Sequence, residues 1–211
     1  MMVELFLQIL VTVLIVIDPL GAVPIFISVA GGLSENQKRR TIRSAIFIAF
    51  IVLAVFIVGG RYLLRFMGIS PGAFYVAGGV LFFLIAIDML FGQAKRVRTS
   101  SDEEPEEEGP SSIAVFPLAI PLIAGPGMVT TIMLYSAGNY EPISTTLLLF
   151  GAVVIALAAM FVALTASGLI LRALGKTGVS VIERMMGLLL SGLAVQFVYD
   201  GLSKLGVLGR L

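Results

Sequence analysis

A long apolar segment near the start of the chain, residues 5–30, is interrupted at its centre by Asp18, Pro19, Gly21 and Pro24. As a helix it would be about 39 Å long, which is enough to cross a hydrocarbon core of about 30 Å. Proline removes a backbone donor and glycine permits bends, so we expect a break near the membrane midplane. The segment therefore predicts a discontinuous membrane-spanning helix with a carboxylate at its break.

The rest of the chain is similarly apolar. Of 211 residues, 58% are hydrophobic and 13% are charged, whereas soluble domains have about 25% charged residues. Too little polar surface is present to cover a soluble core, so we predict an all-α polytopic membrane protein with six transmembrane helices. The predicted spans are residues 5–30, 43–64, 73–91, 113–137, 144–171 and 181–205.

The composition excludes several kinds of site. The chain has no cysteine and no histidine, which removes disulfides, thiolate or imidazole metal ligands and Ser-His catalysis. A net charge of +1 gives no nucleic-acid surface. We therefore expect no metal, no cofactor and no enzymatic activity. A membrane-embedded metal-carboxylate enzyme is the least favoured alternative, since only Asp18, Asp88 and Asp200 are counted inside the spans and Glu183 is assigned to the interface.

The basic residues predict the orientation. Ten Lys and Arg side chains fall in or beside the first, third and fifth loops, against four on the other side. Because Lys and Arg favour the cytoplasmic side, both termini are predicted outside the cell. The third loop, residues 93–112, reads as a charged cytoplasmic linker with an acidic run at 102–108, and it separates three-span units at 1–92 and 113–211.

The two three-span units align with one another. A shift of 107 positions, or 108 in the third span, brings prolines, arginines and glycines into register. The matches include Pro19 with Pro126, Gly31 with Gly138, Arg65 with Arg172, Gly79 with Gly187 and Ala86 with Ala194. An odd number of spans turns the second unit over in the membrane, so we predict an inverted-topology repeat, as in many secondary transporters.

In such repeats the substrate lies between discontinuous helices at corresponding positions. The fourth span carries Gly125, Pro126 and Gly127 opposite the first break, so spans 1 and 4 are both predicted to be broken near the midplane. Unpaired amides at a helix start favour a carboxylate, and the carbonyl end with Asp18 favours an ammonium group. A small amino acid zwitterion offers both groups. The predicted substrate-binding residues are Asp18, Pro19, Leu20, Gly21, Ala22, Gly125, Pro126, Gly127, Thr130 and Thr131.

Each of these residues also has a structural interpretation. Proline and glycine kink and pack membrane helices, and threonine hydroxyls often bond to their own helix. Asp18 could bind the substrate amine, carry a coupling proton, or accept amides at the break. Asp88 and its repeat partner Gln196 are candidate coupling or gating residues, or simply polar ends of their spans. Glu183 is expected at the membrane interface. Gly78, Gly79 and Gly187 are expected to be helix-packing positions rather than ligand contacts.

Two motifs carry a family resemblance: Asp-Pro-Leu-Gly-Ala-Val-Pro at 18–24 and Pro-Leu-Ile-Ala-Gly-Pro-Gly at 121–127. Together they resemble the signature of the MarC/SnatA family. The resemblance implies a bacterial or archaeal inner-membrane protein, and SnatA-type members are proton-driven secondary transporters of small neutral amino acids such as glycine and alanine. MarC-type members take their name from an antibiotic-resistance locus. The expected function is proton-coupled amino acid transport by alternating access; the alternative is an exporter or channel for another small solute.

Overall fold

The computed structural model describes residues 2–91, 118–119, 122–137 and 142–207, and this part of the chain is helical without strands. Its helices are α1 (Met2–Ile17), α2 (Ala22–Val29), α3 (Glu35–Phe66), α4 (Pro71–Phe91), α5 (Pro126–Ser136), α6 (Pro142–Thr165) and α7 (Ser167–Lys204). The all-α prediction is confirmed for these residues. The predicted linker at 93–112 lies outside them.

Five segments of the described chain are long and apolar enough to cross a membrane. They are Met2–Val29, Glu35–Phe66, Pro71–Phe91, Ile143–Thr165 and Thr177–Lys204. These agree with five of the six predicted spans. The predicted fourth span, 113–137, is described only in part, at residues 118–119 and 122–137, which include α5.

The helix starts follow the local sequence. Ser34 caps α3 in the way its sequence predicts: its hydroxyl accepts from the Gln37 amide at 3.4 Å, and its own amide donates to Gln37 Oε1 at 2.9 Å. This reciprocal arrangement satisfies two amides that the helix cannot pair internally. Helices α4, α5 and α6 each begin with proline, which has no amide to leave unpaired at that position.

Helix α7 contains a sharp change of direction at Gly175, whose backbone has φ 64° and ψ 173°. These angles are costly for residues with a Cβ atom, and glycine adopts them freely. The bend separates the end of the fifth predicted span from the sixth, which runs as Thr177–Lys204.

Helices α4 and α7 form the most extensive helix pair of the described chain, and they run antiparallel. A Cβ atom placed on Gly79 would lie 2.7 Å from the carbonyl oxygen of Ala194, and one on Gly187 would lie 3.1 Å from that of Ala86. Small residues therefore allow the two backbones to touch. In a membrane the hydrophobic effect does not drive helices together, so their association depends on close van der Waals contact of this kind. The predicted role of Gly79 and Gly187 in helix packing is confirmed.

Helix α5 occupies the centre of the bundle, where it packs against α1, α3, α4 and α6. On one side of it, aromatic rings gather around Phe197 of α7. Tyr75, Phe82 and Tyr135 approach the Phe197 ring with centroid distances of 5.9, 5.5 and 6.1 Å, all at steep interplanar angles. Such edge-to-face contacts add to the area burial, so this cluster fixes α4, α5 and α7 relative to one another.

Candidate functional site

The first candidate element is the interruption between α1 and α2. Helix α1 ends at Ile17 and α2 begins at Ala22, so four residues, 18–21, connect them. Asp18 has a φ of 46°, a left-handed conformation that aspartate tolerates better than most residues. Proline at position 19 also disfavours an ordinary helical conformation for Asp18. The local sequence thus accounts for the end of α1 at this point.

The Asp18 side chain is buried, with 5% of its surface exposed. Its Oδ1 atom accepts the Gly21 amide at 3.0 Å, and its backbone carbonyl accepts the Ala22 amide at 3.1 Å. Asp18 therefore receives the first amides of α2, which is one of the three roles its position allowed. This contact uses one carboxylate oxygen; the other, Oδ2, faces a different neighbour.

That neighbour is Glu183 of α7. A Cβ atom placed on Gly21 would lie 2.6 Å from Glu183 Oε1 and closer still to Asp18 Oδ2. Both oxygens are thus within 2.6 Å of one point, which brings the carboxylates within about 5 Å of each other, the range of direct charge interaction. Glycine at position 21 leaves the space in which the two acids meet. Glu183 is half-buried, and the packing of α2 against α7 brings its side chain to Asp18. Its expected position at the membrane interface stays a prediction.

The second candidate element is the start of α5. Gly125 is extended, with φ −73° and ψ 176°, and Pro126 opens the helix. A Cβ atom on Gly127 would lie 3.1 Å from a methyl group of Val16 and 3.0 Å from one of Ile85. The first turn of α5 therefore lies against the last turn of α1, close to Asp18. The two sequence motifs, distant in the chain, are neighbours in the fold.

The remaining predicted binding residues differ in burial. Gly21, Ala22, Gly125 and Gly127 are buried, Pro19 and Leu20 are half-buried, and Pro126 is exposed. Thr131 is fully buried, and its hydroxyl donates to the Gly127 carbonyl at 2.8 Å, as the structural interpretation predicts. Thr130 is half-buried and its methyl group packs toward Gly78 of α4.

The two candidate coupling residues are exposed, in contrast to the buried Asp18. Asp88 lies on an exposed face near the end of α4. Gln196 is exposed on α7, where its Nε2 donates to Asp200 Oδ1 at 2.9 Å. This arrangement agrees with the interpretation of both as polar positions at span ends, and their coupling role stays a prediction.

A buried polar contact that the sequence did not single out links the two halves of the chain. The hydroxyls of Thr12 in α1 and Tyr135 in α5 lie 2.9 Å apart, and Thr12 also donates to the Gln8 carbonyl at 2.8 Å. The signal for this pair was weak, since one threonine and one tyrosine in apolar helices usually pack without a specific partner. For Glu183 the signal was available: an acid in an apolar span is a site candidate by default.

Known proteins are similar in sequence to this chain over almost its full length. The sequence model described as MarC family integral membrane protein matches residues 3–205. A membrane protein of Aquifex aeolicus is 36% identical over 201 residues, covering 95% of this chain and 94% of its own. One from Bacillus subtilis is 35% identical, covering 96% of both chains, and one from Pyrococcus horikoshii is 37% identical, covering 88% of both.

These relatives are described as UPF0056 membrane proteins, a name that states no substrate. No solved structure matches the chain. The match spans both motifs, and the resemblance drawn from them is confirmed for the MarC family. The chain belongs to the MarC family of multi-pass integral membrane proteins.

Proposed function

We propose that this protein is a secondary transporter of small neutral amino acids, glycine and alanine, coupled to protons and working by alternating access. The observation that carries the proposal is the meeting of Asp18 and Glu183 around Gly21, at the connection between α1 and α2. Carboxylates are costly in a membrane bundle and are kept mainly where they bind or carry charge.

The site offers complementary groups for a zwitterion. Amides at the starts of α2 and α5 provide partial positive charge for a substrate carboxylate. The carbonyl end of α1 and the carboxylate of Asp18 provide negative charge for the substrate ammonium group. The contact of Gly127 with Val16 supports one shared site, because it brings the amide end of α5 to the carbonyl end of α1.

The proposed substrate is small because the site is lined by residues without bulk. Gly21 leaves room for two carboxylates, and Gly127 already touches two apolar side chains. A substrate with a long side chain would have to displace Val16 or Ile85, at a cost set by close packing. Glycine and alanine require the least displacement.

The acid pair also provides a means of coupling. Two carboxylates this close are stabilised when a proton or another positive charge lies beside them. We propose that a proton on the pair and the substrate ammonium group both contribute to that neutralisation, so that occupancy by one depends on the other. Transport would then follow the proton gradient across the cell membrane.

Alternating access is supported by the symmetry of the α4–α7 pair. Gly79 contacts Ala194, and a shift of 108 positions converts this contact into Gly187 with Ala86, which is also present. Two contacts that convert into each other when the halves of the chain are exchanged are expected for two inverted three-span repeats. We propose that spans 1 and 4 are the corresponding interrupted helices of these repeats, with both termini outside.

The test is uptake by purified protein in liposomes. With an inward proton gradient, we expect accumulation of labelled glycine and alanine that a protonophore abolishes. Asp18→Asn should reduce the rate about tenfold to a hundredfold, the loss of a charged hydrogen bond, while asparagine can still accept the Gly21 amide.

The matched control is Glu35→Gln, which removes an exposed carboxylate that pairs with Lys38 at the start of α3. Uptake of neither amino acid by the native protein would overturn the assignment. Uptake of another solute without saturation would instead favour a channel, and gradient-driven loss of a different metabolite would favour an exporter.

A further inference from the structure

A cavity lies away from the Asp18 site, at the end of the bundle where α3 and α5 finish and α6 begins. Its volume is about 310 Å³ and its wall includes Arg61, Ser136 and Thr145. We propose that this cavity binds an anionic phospholipid, with the lipid phosphate on Arg61. The inference is independent of the transport proposal, because it concerns neither acid nor either interrupted helix.

The cationic wall is already held in place. Arg61 Nε donates to the Ser136 carbonyl at 2.8 Å, at the last turn of α5, where helix carbonyls need partners. Arginine carries five N–H donors, so the Nη groups remain for an anion. The guanidinium is thus preorganised, and a phosphate with two oxygens matches its planar geometry.

The charge of Arg61 has no carboxylate partner within the described residues; the ion pair on α3 joins Lys38 and Glu35 at the opposite end of that helix. Arg61 is half-buried, and the hydroxyl-bearing Thr145 beside it is almost fully buried. A positive group in this setting is stabilised by an anion more than a fully hydrated one would be.

The opposite wall is apolar and open. Val58, Ile143 and Leu147 line the cavity and are 59%, 76% and 67% exposed, so they face the surroundings of the bundle. In a membrane those surroundings are acyl chains. A free anion would leave this apolar wall unused, whereas a phospholipid covers it with its chains and places its phosphate on Arg61. The occupant we infer is therefore a lipid rather than soluble phosphate.

The experiment uses the full-length protein in detergent, with phosphatidylglycerol, phosphatidylcholine and inorganic phosphate as separate additions. We expect phosphatidylglycerol to raise the apparent Tm by about 3 °C or more, as for a ligand in excess over its Kd. Phosphatidylcholine should raise it less, and inorganic phosphate should leave it unchanged. Native mass spectrometry should show one tightly held phosphatidylglycerol.

Arg61→Gln should weaken lipid retention about tenfold, consistent with loss of a charged hydrogen bond. Arg65→Gln is the matched control: it removes a charge one turn further along α3 from a residue outside the cavity wall. Val58→Trp fills the cavity and keeps the charge of Arg61, so it tests the site even if Arg61→Gln fails to fold.

The proposal requires that Arg61→Gln or Val58→Trp lose the lipid and that Arg65→Gln keep it. Equal retention in all variants would overturn it, as would an equal Tm rise with phosphatidylcholine. A Tm rise with inorganic phosphate alone would show that the cavity takes a free anion and would contradict the lipid assignment.

Discussion

Glycine does opposite work at two places in this protein. At the α4–α7 crossing, the absence of side chains at Gly79 and Gly187 lets backbone meet backbone, and the result is a close contact between two helices. At the α1–α2 connection, Gly21 removes a side chain so that the carboxylates of Asp18 and Glu183 can approach each other. Gly79 and Gly187 therefore allow close helix packing, whereas Gly21 leaves space for two charged side chains.

The difference has an energetic meaning. Close helix packing is favourable in a membrane and gains from every added contact. Two acids beside a helix interruption are unfavourable unless something neutralises them. We therefore expect added side-chain bulk at the α4–α7 contact to destabilise the fold. Substitutions at the Asp18 site should leave the protein folded but reduce its activity.

The largest expected effect is at the helix crossing. Gly79→Leu would place its Cβ atom 2.7 Å from the Ala194 carbonyl oxygen, which the backbone of α7 cannot yield without moving. We expect a loss of about 3 kcal/mol of stability and little monodisperse protein. Gly192→Leu is the control, because a Cβ atom there meets nothing within 4 Å. Size-exclusion chromatography and thermal unfolding would compare them; equal behaviour would show that the crossing is looser than described.

A second prediction concerns the two acids. If Asp18 and Glu183 act as one unit, Glu183→Gln added to Asp18→Asn should cost little beyond the more damaging single substitution. Rates of proton-driven glycine uptake in the native protein, the two single variants and the double variant give the coupling free energy between the two substitutions. We expect it to be on the order of 1 kcal/mol or more, as for residues in contact. Strict additivity would mean that the carboxylates work separately and that their approach is only a consequence of packing.

A smaller effect is expected at Gly21. Gly21→Ala should fold, because its φ of −67° is ordinary, but the added methyl group must push away the carboxylates of both Asp18 and Glu183. We predict about a tenfold fall in the uptake rate, because displacing a functional group by up to about 1 Å can cost a factor of this size or more. Gly32→Ala, where a Cβ atom meets nothing within 4 Å, should transport normally. Full activity in Gly21→Ala would remove the glycine from the site.

The smallest effect is expected at Thr131. Its hydroxyl donates to the Gly127 carbonyl of the same helix, so Thr131→Val removes a local bond and keeps the shape. We expect less than about 1 kcal/mol in stability and a change in glycine affinity below about threefold. Thr131→Ser, which keeps the hydroxyl, is the comparison. A strong loss of affinity in Thr131→Val alone would assign that hydroxyl to the substrate.

The sequence predicts those parts of the fold that depend on neighbours in the chain. The cap at Ser34, the end of α1 before Pro19 and the start of α5 at Pro126 each follow from residues within one helical turn. The helix-packing role of Gly79 and Gly187 also followed, because small residues in an apolar span have few other uses.

Contacts between distant segments were harder to predict. Glu183 reaches Asp18 only because α2 packs on α7, and neither span contains a pattern that specifies the other as its partner. The bond between Thr12 and Tyr135 has the same origin. Thr131 offered two physical interpretations, and the spacing to the Gly127 carbonyl, one helical turn earlier, favours the local one. A charged residue at a helix interruption indicates a candidate site from the sequence alone, but its partner from a distant segment is determined only by tertiary packing.

The central claim is that a proton and a small amino acid meet at Asp18. Electrical recording on supported proteoliposomes tests it most directly, because zwitterionic glycine carries no net charge and any current must come from the coupled ion. Addition of glycine or alanine should produce an inward current in the native protein and in Glu35→Gln, and a current at least about tenfold smaller in Asp18→Asn. Glycine transport without current or pH change, or an unchanged current in Asp18→Asn, would contradict the account.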